Sequence, residues 1–181
     1  MVCVSQADAK TFCSWLTKKT GRTVKLPTEA QWEYAARAGM NTDYLWGNDP
    51  DDGKGWCNAS DESLKSLMKT SFPERAKNGG LFFRWDDSYA FTSPVGKFKC
   101  NNFGLSDMQG NAYPWCEDRW DLLFYSKSPT EDPMCPYKEG QPCVYRGGSF
   151  LHGPQECGLV MRSGNLRNNG GCASEAVKKS A

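Results

Sequence analysis

A chain of 181 residues with 39% hydrophobic and 13% aromatic content is long enough to bury a core of its own as one domain. Its 22 basic and 21 acidic side chains leave a formal net charge of +1, which excludes the basic footprint of a nucleic-acid binder and a polybasic membrane anchor. No apolar run approaches the roughly 20 residues that cross a bilayer, and the segment after Met1 is too polar for a signal-peptide core, so no transmembrane segment is expected.

Two helices are predicted first. Ser5 is placed to cap a helix in which Ala9, Phe12, Cys13 and Leu16 follow the i, i+3, i+4, i+7 pattern and Gly21 supplies the stop. In the next segment Thr28 and Gln31 have capping-box spacing, Pro27 stands where the chain turns in, and Glu29 sets a negative charge beside the amides of the first turn. Ala35, Ala36 and Ala38 permit close approach of a neighbour, Trp32 and Tyr34 offer large rings, and Gly39 can take the left-handed conformation that ends the helix. Beyond Gly39 the helical period disappears. Short apolar groups alternate with Gly, Asn, Asp, Ser and Pro, which reads as a loop-rich region with a short helix around Ser63 to Met68 and a brief strand at Val144-Tyr145-Arg146.

The nine cysteines are scattered without a CxxC pair, and His152 is the single histidine, so a structural zinc site of common spacing is not expected. Cys135 and Cys143 are a candidate local disulfide across a Pro/Gly-rich loop if the protein is exported. The alternative is a set of reduced cysteines packed as small hydrophobes.

Five motifs in order carry a family resemblance. They are the Leu26 to Gly39 segment, Trp46-Gly47, Trp85-Asp86-Asp87-Ser88-Tyr89 with Thr92-Ser93-Pro94-Val95-Gly96, Phe103-Gly104-Leu105-Ser106-Asp107-Met108-Gln109-Gly110-Asn111-Ala112, and Arg146-Gly147-Gly148-Ser149-Phe150. Together they resemble the formylglycine-generating enzyme, or sulfatase-modifying factor, family over roughly residues 2 to 169. The resemblance implies an irregular α+β, C-type-lectin-like fold with two helices, a small antiparallel sheet and long site-bearing loops, as a single domain over residues 1–181. Its edges are expected to be atypical. The family's amino-terminal strands lie upstream of the segment like Val2-Cys3-Val4-Ser5, and Glu175-Ala176-Val177 stands where relatives carry a Gly-Phe-Arg strand.

Family enzymes oxidise a sulfatase cysteine to formylglycine with two cysteines that hold Cu(I), a metal suited to soft thiolates. In relatives these cysteines follow the Gly-Gly-Ser turn; here Ser149 is kept, Cys157 falls at the second cysteine position, and His152 occupies the first. A copper-dependent oxidase using Cys157, His152 and Ser149 is therefore the alternative reading rather than the main one. An iron branch of the fold that needs three histidines is excluded by the single histidine. The resemblance also implies calcium at Asn58-Ala59, Asp87 and Tyr89. A second calcium set around Asp107, Gly110 and Ala112 has Pro114 in place of an acid.

These departures point to a catalytically inactive ligand-binding domain. Its expected contact face comprises Phe150, Leu151, His152, Gly153, Leu159, Val160, Asn165, Leu166, Arg167 and Asn168, a mixture suited to recognition from loops on a scaffold. The implied partner is a protein or other surface ligand, and an exported or displayed location is favoured. A subset of the family consists of variable proteins diversified by retroelements that randomise adenine-derived codons after the Gly-Gly-Ser turn. All ten contact positions belong to the residue set reachable from such codons, whereas Gln155, Glu156 and Met161 do not. A further alternative is a structural paralogue in an assembly, with its exposed apolar loop covered by a constant partner.

Overall fold

In the computed structural model, which describes residues 4–73 and 81–165, Ser5 opens α1 (Gln6–Thr20). Ser5 Oγ accepts from Asp8 N at 3.1 Å while the Asp8 carboxylate accepts from Ser5 N at 2.9 Å, so two otherwise orphaned amides are satisfied reciprocally. Gly21, at φ +69°, closes the helix by donating its N–H to Thr17 O. The helix is where the sequence puts it, but its apolar stripe is not a core face. Phe12 is exposed, and the side chain that is buried is Gln6, whose amide donates to Cys116 O at 2.5 Å.

The second capping box is present in α2 (Glu29–Arg37): Gln31 N donates to Thr28 Oγ1 and Thr28 N donates to Gln31 Oε1. Trp32 and Ala36 are buried, Tyr34 is exposed, and Gly39 stands at φ +86°. Glu29 does more than favour a helix dipole. Its fully buried carboxylate grips Arg162 in a fork, Nε to Oε1 and Nη2 to Oε2 both at 2.8 Å, and its backbone N–H donates to the buried Asp118 at 2.7 Å.

Three strands form an antiparallel sheet in the order β1 (Trp115–Arg119), β2 (Cys143–Tyr145) and β3 (Ser163–Asn165). Val144 is fully buried, and the Trp115 and Tyr145 rings pair edge-on at 5.7 Å. Asp118 points inward from β1 because its carboxylate accepts both Glu29 N and Cys135 N. Cys135 is a free buried thiol, so the candidate Cys135–Cys143 bridge is not formed; the Cys143 sulfur instead accepts from Arg119 Nη1 at 2.5 Å.

The chain separates into two compact units, one from Met1–Trp32, Trp115–Tyr145 and Arg162–Ala181, the other from Glu33–Pro114 and Arg146–Met161. The first holds α1 and the sheet. The second holds α3 (Glu62–Ser71), a single helical turn α4 (Pro154–Cys157) and a 3-10 turn at Pro50–Gly53 amid long loops. Its core packs Tyr44, Cys57, Ala59, Phe83, Trp85 and Cys157, with the Phe83 and Trp85 rings stacked at 4.6 Å. This is the α+β arrangement that the resemblance implied, with the candidate site residues Ser149 to Val160 all in the second unit.

Candidate functional site

The loop between β2 and β3 begins at Arg146, which is almost fully buried and anchors the loop's far end. Its guanidinium donates to Leu159 O at 2.8 Å and Met161 O at 2.9 Å and pairs with the Glu33 carboxylate. Gly147 and Gly148 follow, both at φ +74°. At Gly148 a Cβ would stand 2.6 Å from Cys157 Sγ, so both conformation and space require glycine there.

That turn delivers Ser149 to His152. Ser149 Oγ lies 2.7 Å from His152 Nδ1, and Tyr113 OH lies 2.7 Å from Nε2, with the two rings tilted at a centroid separation of 4.8 Å. A neutral imidazole has one donor and one acceptor nitrogen, and each hydroxyl can take the complementary role. Burial lowers the His152 pKa and so favours that neutral form. Tyr113 was not expected at the site. Nothing in the local pattern around it marks a partner 39 residues away.

Cys157 is fully buried, and its Sγ donates to His152 O at 3.2 Å. Burial pushes the thiol up to about 12, with Glu156 contributing in the same direction. Gln109 seals this corner, accepting from Leu45 N at 2.8 Å and donating to Cys157 O. A Cu(I) centre of one thiolate and one imidazole requires a deprotonated sulfur and a free ring lone pair. Here an imidazole with both nitrogens hydrogen-bonded replaces one thiolate and Cys157 Sγ is turned to the His152 carbonyl, so the two-thiolate donor set of the enzymes is missing.

The expected contact face is smaller in the structure than in the sequence. Leu159 is fully buried and donates its N–H to Asp43 O at 2.8 Å, and Gly153 is buried against the Leu81 carbonyl, leaving no room for a Cβ. Both are packing residues, which corrects their placement among the contacts. Phe150, Leu151 and His152 are half-buried, and Val160 is exposed. The Phe150 ring meets exposed Phe91 edge-on at 6.2 Å, a neighbour that the sequence did not reveal. Asn165 belongs to β3 in the first unit, and Leu166, Arg167 and Asn168 lie outside the described residues.

The implied calcium residues come together. Asn58 is fully buried; its Nδ2 donates to Phe91 O at 2.8 Å, while Oδ1 has no hydrogen-bond partner. The Asp87 carboxylate accepts from Ala59 N at 2.9 Å and Tyr89 N at 2.7 Å. Burial, reinforced by the charges of Asp61 and Asp86 and opposed by those two amides, raises Asp87 to about 7. An orphaned buried amide oxygen and a carboxylate whose charge is uncompensated fit a hard cation. The Asn58 amide oxygen, the Asp87 carboxylate and the carbonyls of Ala59 and Tyr89 would hold it, and it would supply positive charge that ties two loops together. Among the described residues no cluster of three or more His, Cys, Asp or Glu suits a metal, so such a site relies on amide and carbonyl oxygens. The second set is short of a carboxylate, because Pro114 stands where an acid is expected; Asp107 there accepts from Gly96 N at 2.6 Å.

Comparison with known proteins agrees with this scaffold. Residues 1–174 match the sulfatase-modifying factor enzyme 1-like domain. The formylglycine-generating enzyme of Streptomyces coelicolor is 33% identical over 187 residues, covering 97% of this chain and 52% of that enzyme. The inactive C-alpha-formylglycine-generating enzyme 2 of Bos taurus is 31% identical over 122 residues, covering 66% of this chain and 33% of that protein. The chain thus spans about half the length of the first of these relatives, or less. Among solved structures, Treponema denticola variable protein 1 superposes with a TM-score of 0.73 at 20% identity, covering 96% of this chain and 67% of that one, a likeness of fold. With the motifs, the fold and nearly the whole length in agreement, the chain belongs to the sulfatase-modifying factor, or formylglycine-generating enzyme, family.

Proposed function

We propose that this domain is a non-catalytic, ligand-binding member of its family, a displayed receptor whose contact surface is built on the Phe150–His152 turn and the neighbouring Phe91, with exposed Val160 later in the same loop. One observation carries the reading: both ring nitrogens of His152 are taken by the hydroxyls of Ser149 and Tyr113. The position that a metal-binding cysteine holds in the enzymes is here a closed hydrogen-bonded post, and the remaining Cys157 is a sequestered thiol. Half-buried aromatic and aliphatic groups at Phe150 and Leu151, beside exposed Phe91, suit contact with a protein or other surface ligand. The existence of an inactive relative shows that loss of the reaction is compatible with the family's scaffold.

The test is an anaerobic Cu(I) titration against a chromophoric chelator, followed by oxidation of a cysteine-containing peptide in air. The expected result is no tight Cu(I) binding and no formylglycine. Stoichiometric Cu(I) binding that disappears in Cys157→Ala, together with peptide oxidation, would overturn the proposal. Among sister copies of the gene, changes at Phe150, Leu151 and Val160 with Gly153 and Leu159 invariant are expected of a diversified contact face.

A further inference from the structure

Two thiols in the core of the second unit play no part in the binding reading. Cys57 and Cys157 are both fully buried and belong to one packed cluster with Tyr44, Ala59, Phe83 and Trp85. Both are free thiols in the structure, and Cys100, the other cysteine of this unit among the described residues, is exposed. Each of the two buried sulfurs therefore has the other as its one buried candidate partner within the unit.

The segment that carries Cys57 and the turn that carries Cys157 are tied together on two sides. His152 O accepts from Cys157 Sγ at 3.2 Å and from Ser60 N at 3.0 Å, so the sulfur and the 57–60 segment share one acceptor. On the other side Asn58 bridges Gly110, and Gly110 N donates to Gly147 O at 2.8 Å. The next residue, Gly148, packs so closely on Cys157 that a Cβ there would lie 2.6 Å from Sγ. Electrostatics agrees with this placement: after burial itself, the charge that pushes the Cys57 thiol up most is that of Cys157, ahead of Asp87 and Asp61.

We propose that Cys57 and Cys157 are a disulfide pair: under oxidising conditions they close a bond that staples the 57–60 segment to α4, next to the Phe150–His152 turn. The pairing stands independently of what that turn binds. With a small disulfide such as oxidised glutathione as the oxidant, one cysteine thiolate attacks it and releases one glutathione, and the second cysteine attacks the mixed disulfide and releases the other. Two S–H bonds are lost, one S–S bond forms, and two reduced glutathiones carry away the protons and electrons. Burial holds both native thiols protonated, so the bond forms while the chain folds or through a local opening.

The whole chain, reduced and unfolded, is refolded into oxidised glutathione, its remaining thiols are alkylated in denaturant, and a non-reducing digest is mapped by mass spectrometry. The expected product is a peptide joining Cys57 to Cys157, lighter by two hydrogens than its reduced parts. It should outnumber the unlinked pair by at least about tenfold in excess oxidant and separate on reduction by dithiothreitol. Cys57→Ala should leave Cys157 alkylated, and Cys157→Ala should leave Cys57 alkylated. Alkylation of both cysteines in the unmodified protein, or a bond from either to a different cysteine, would overturn the pairing. Folded protein held with oxidised glutathione in urea below its unfolding transition gives the same two outcomes without a refolding step.

Discussion

The packing that seats the candidate site can be isolated by two glycine substitutions that differ in one respect. Gly104 and Gly110 have nearly the same backbone conformation, φ +76° and +74°. A Cβ in this left-handed region costs about 1–2 kcal/mol for an ordinary L residue. At Gly104 nothing lies within 4 Å of the added carbon, so Gly104→Ala should lose only that conformational amount. At Gly110 the carbon would overlap Asn58 O and approach Asn58 C to 2.9 Å and N to 3.3 Å. All three are backbone atoms, held in place by the Asn58–Gly110 bridge and the Asn111 N to Asn58 O bond, so no side chain can rotate away. Relief requires a backbone shift, which in an overpacked site costs about 1–3 kcal/mol more. Gly104→Ala is therefore expected to destabilise by about 1–2 kcal/mol and Gly110→Ala by about 2–5 kcal/mol. Urea unfolding followed by tryptophan fluorescence, which Trp46 and Trp85 report from the second unit, measures both. Equal losses, within about 0.5 kcal/mol, would mean that the close approach of the two segments is not a constraint.

Three other outcomes are expected. Alkylation at pH 8 should label exposed Cys100 readily and spare Cys157, whose thiol at about 12 leaves roughly one thiolate in ten thousand; mass mapping of rapid native labelling at Cys157 would refute its sequestration. His152, with its pKa lowered by burial, binds its proton less readily folded than unfolded, so its contribution to stability is full above the unfolded value near 6.5 and is lost as pH falls through the folded value. An NMR titration of its ring protons should give a midpoint below 6.5, and His152→Gln should flatten that part of the stability profile. In the first unit, Glu29→Gln removes one partner of a buried fork and should cost about 3–5 kcal/mol by denaturant unfolding, whereas a loss below about 1 kcal/mol would show the pair to be solvated.

What the sequence made legible was mostly chemistry that acts within four residues. Ser5 with Asp8, Thr28 with Gln31, and the closing Gly21 and Gly39 define helices because their partners are local. The α1 stripe misled because periodicity shows that one face is apolar but not that anything covers it; Phe12 remains exposed. Strand β1 was invisible for the opposite reason. Trp115-Cys116-Glu117-Asp118-Arg119 reads as a charged loop, yet Asp118 turns inward to receive two amides that only the tertiary fold supplies. The site divides similarly. The exchange of a cysteine for His152 was readable by alignment to a motif, and Asn58 with Asp87 likewise. Leu159 and Gly153 were misplaced because a loop residue's exposure depends on distant carbonyls, those of Asp43 hydrogen-bonded to Leu159 N and of Leu81 packed on Gly153.

His152 contributes to the site through both its side chain and its backbone. Its side chain closes a hydroxyl–imidazole–hydroxyl chain from Ser149 to Tyr113. Its backbone oxygen accepts from both Ser60 N and Cys157 Sγ. A cysteine at this position could keep the backbone contacts but would be a poor hydrogen-bonding match for both hydroxyls, since a thiol is a weak donor and acceptor. The imidazole thus removes a soft metal donor and, in the same step, fastens the turn from the side-chain direction while Ser60 fastens it from the backbone. A turn fixed from both directions holds Phe150 and Leu151 with little freedom left to lose, so under the proposed binding role their ordering cost on association would be small.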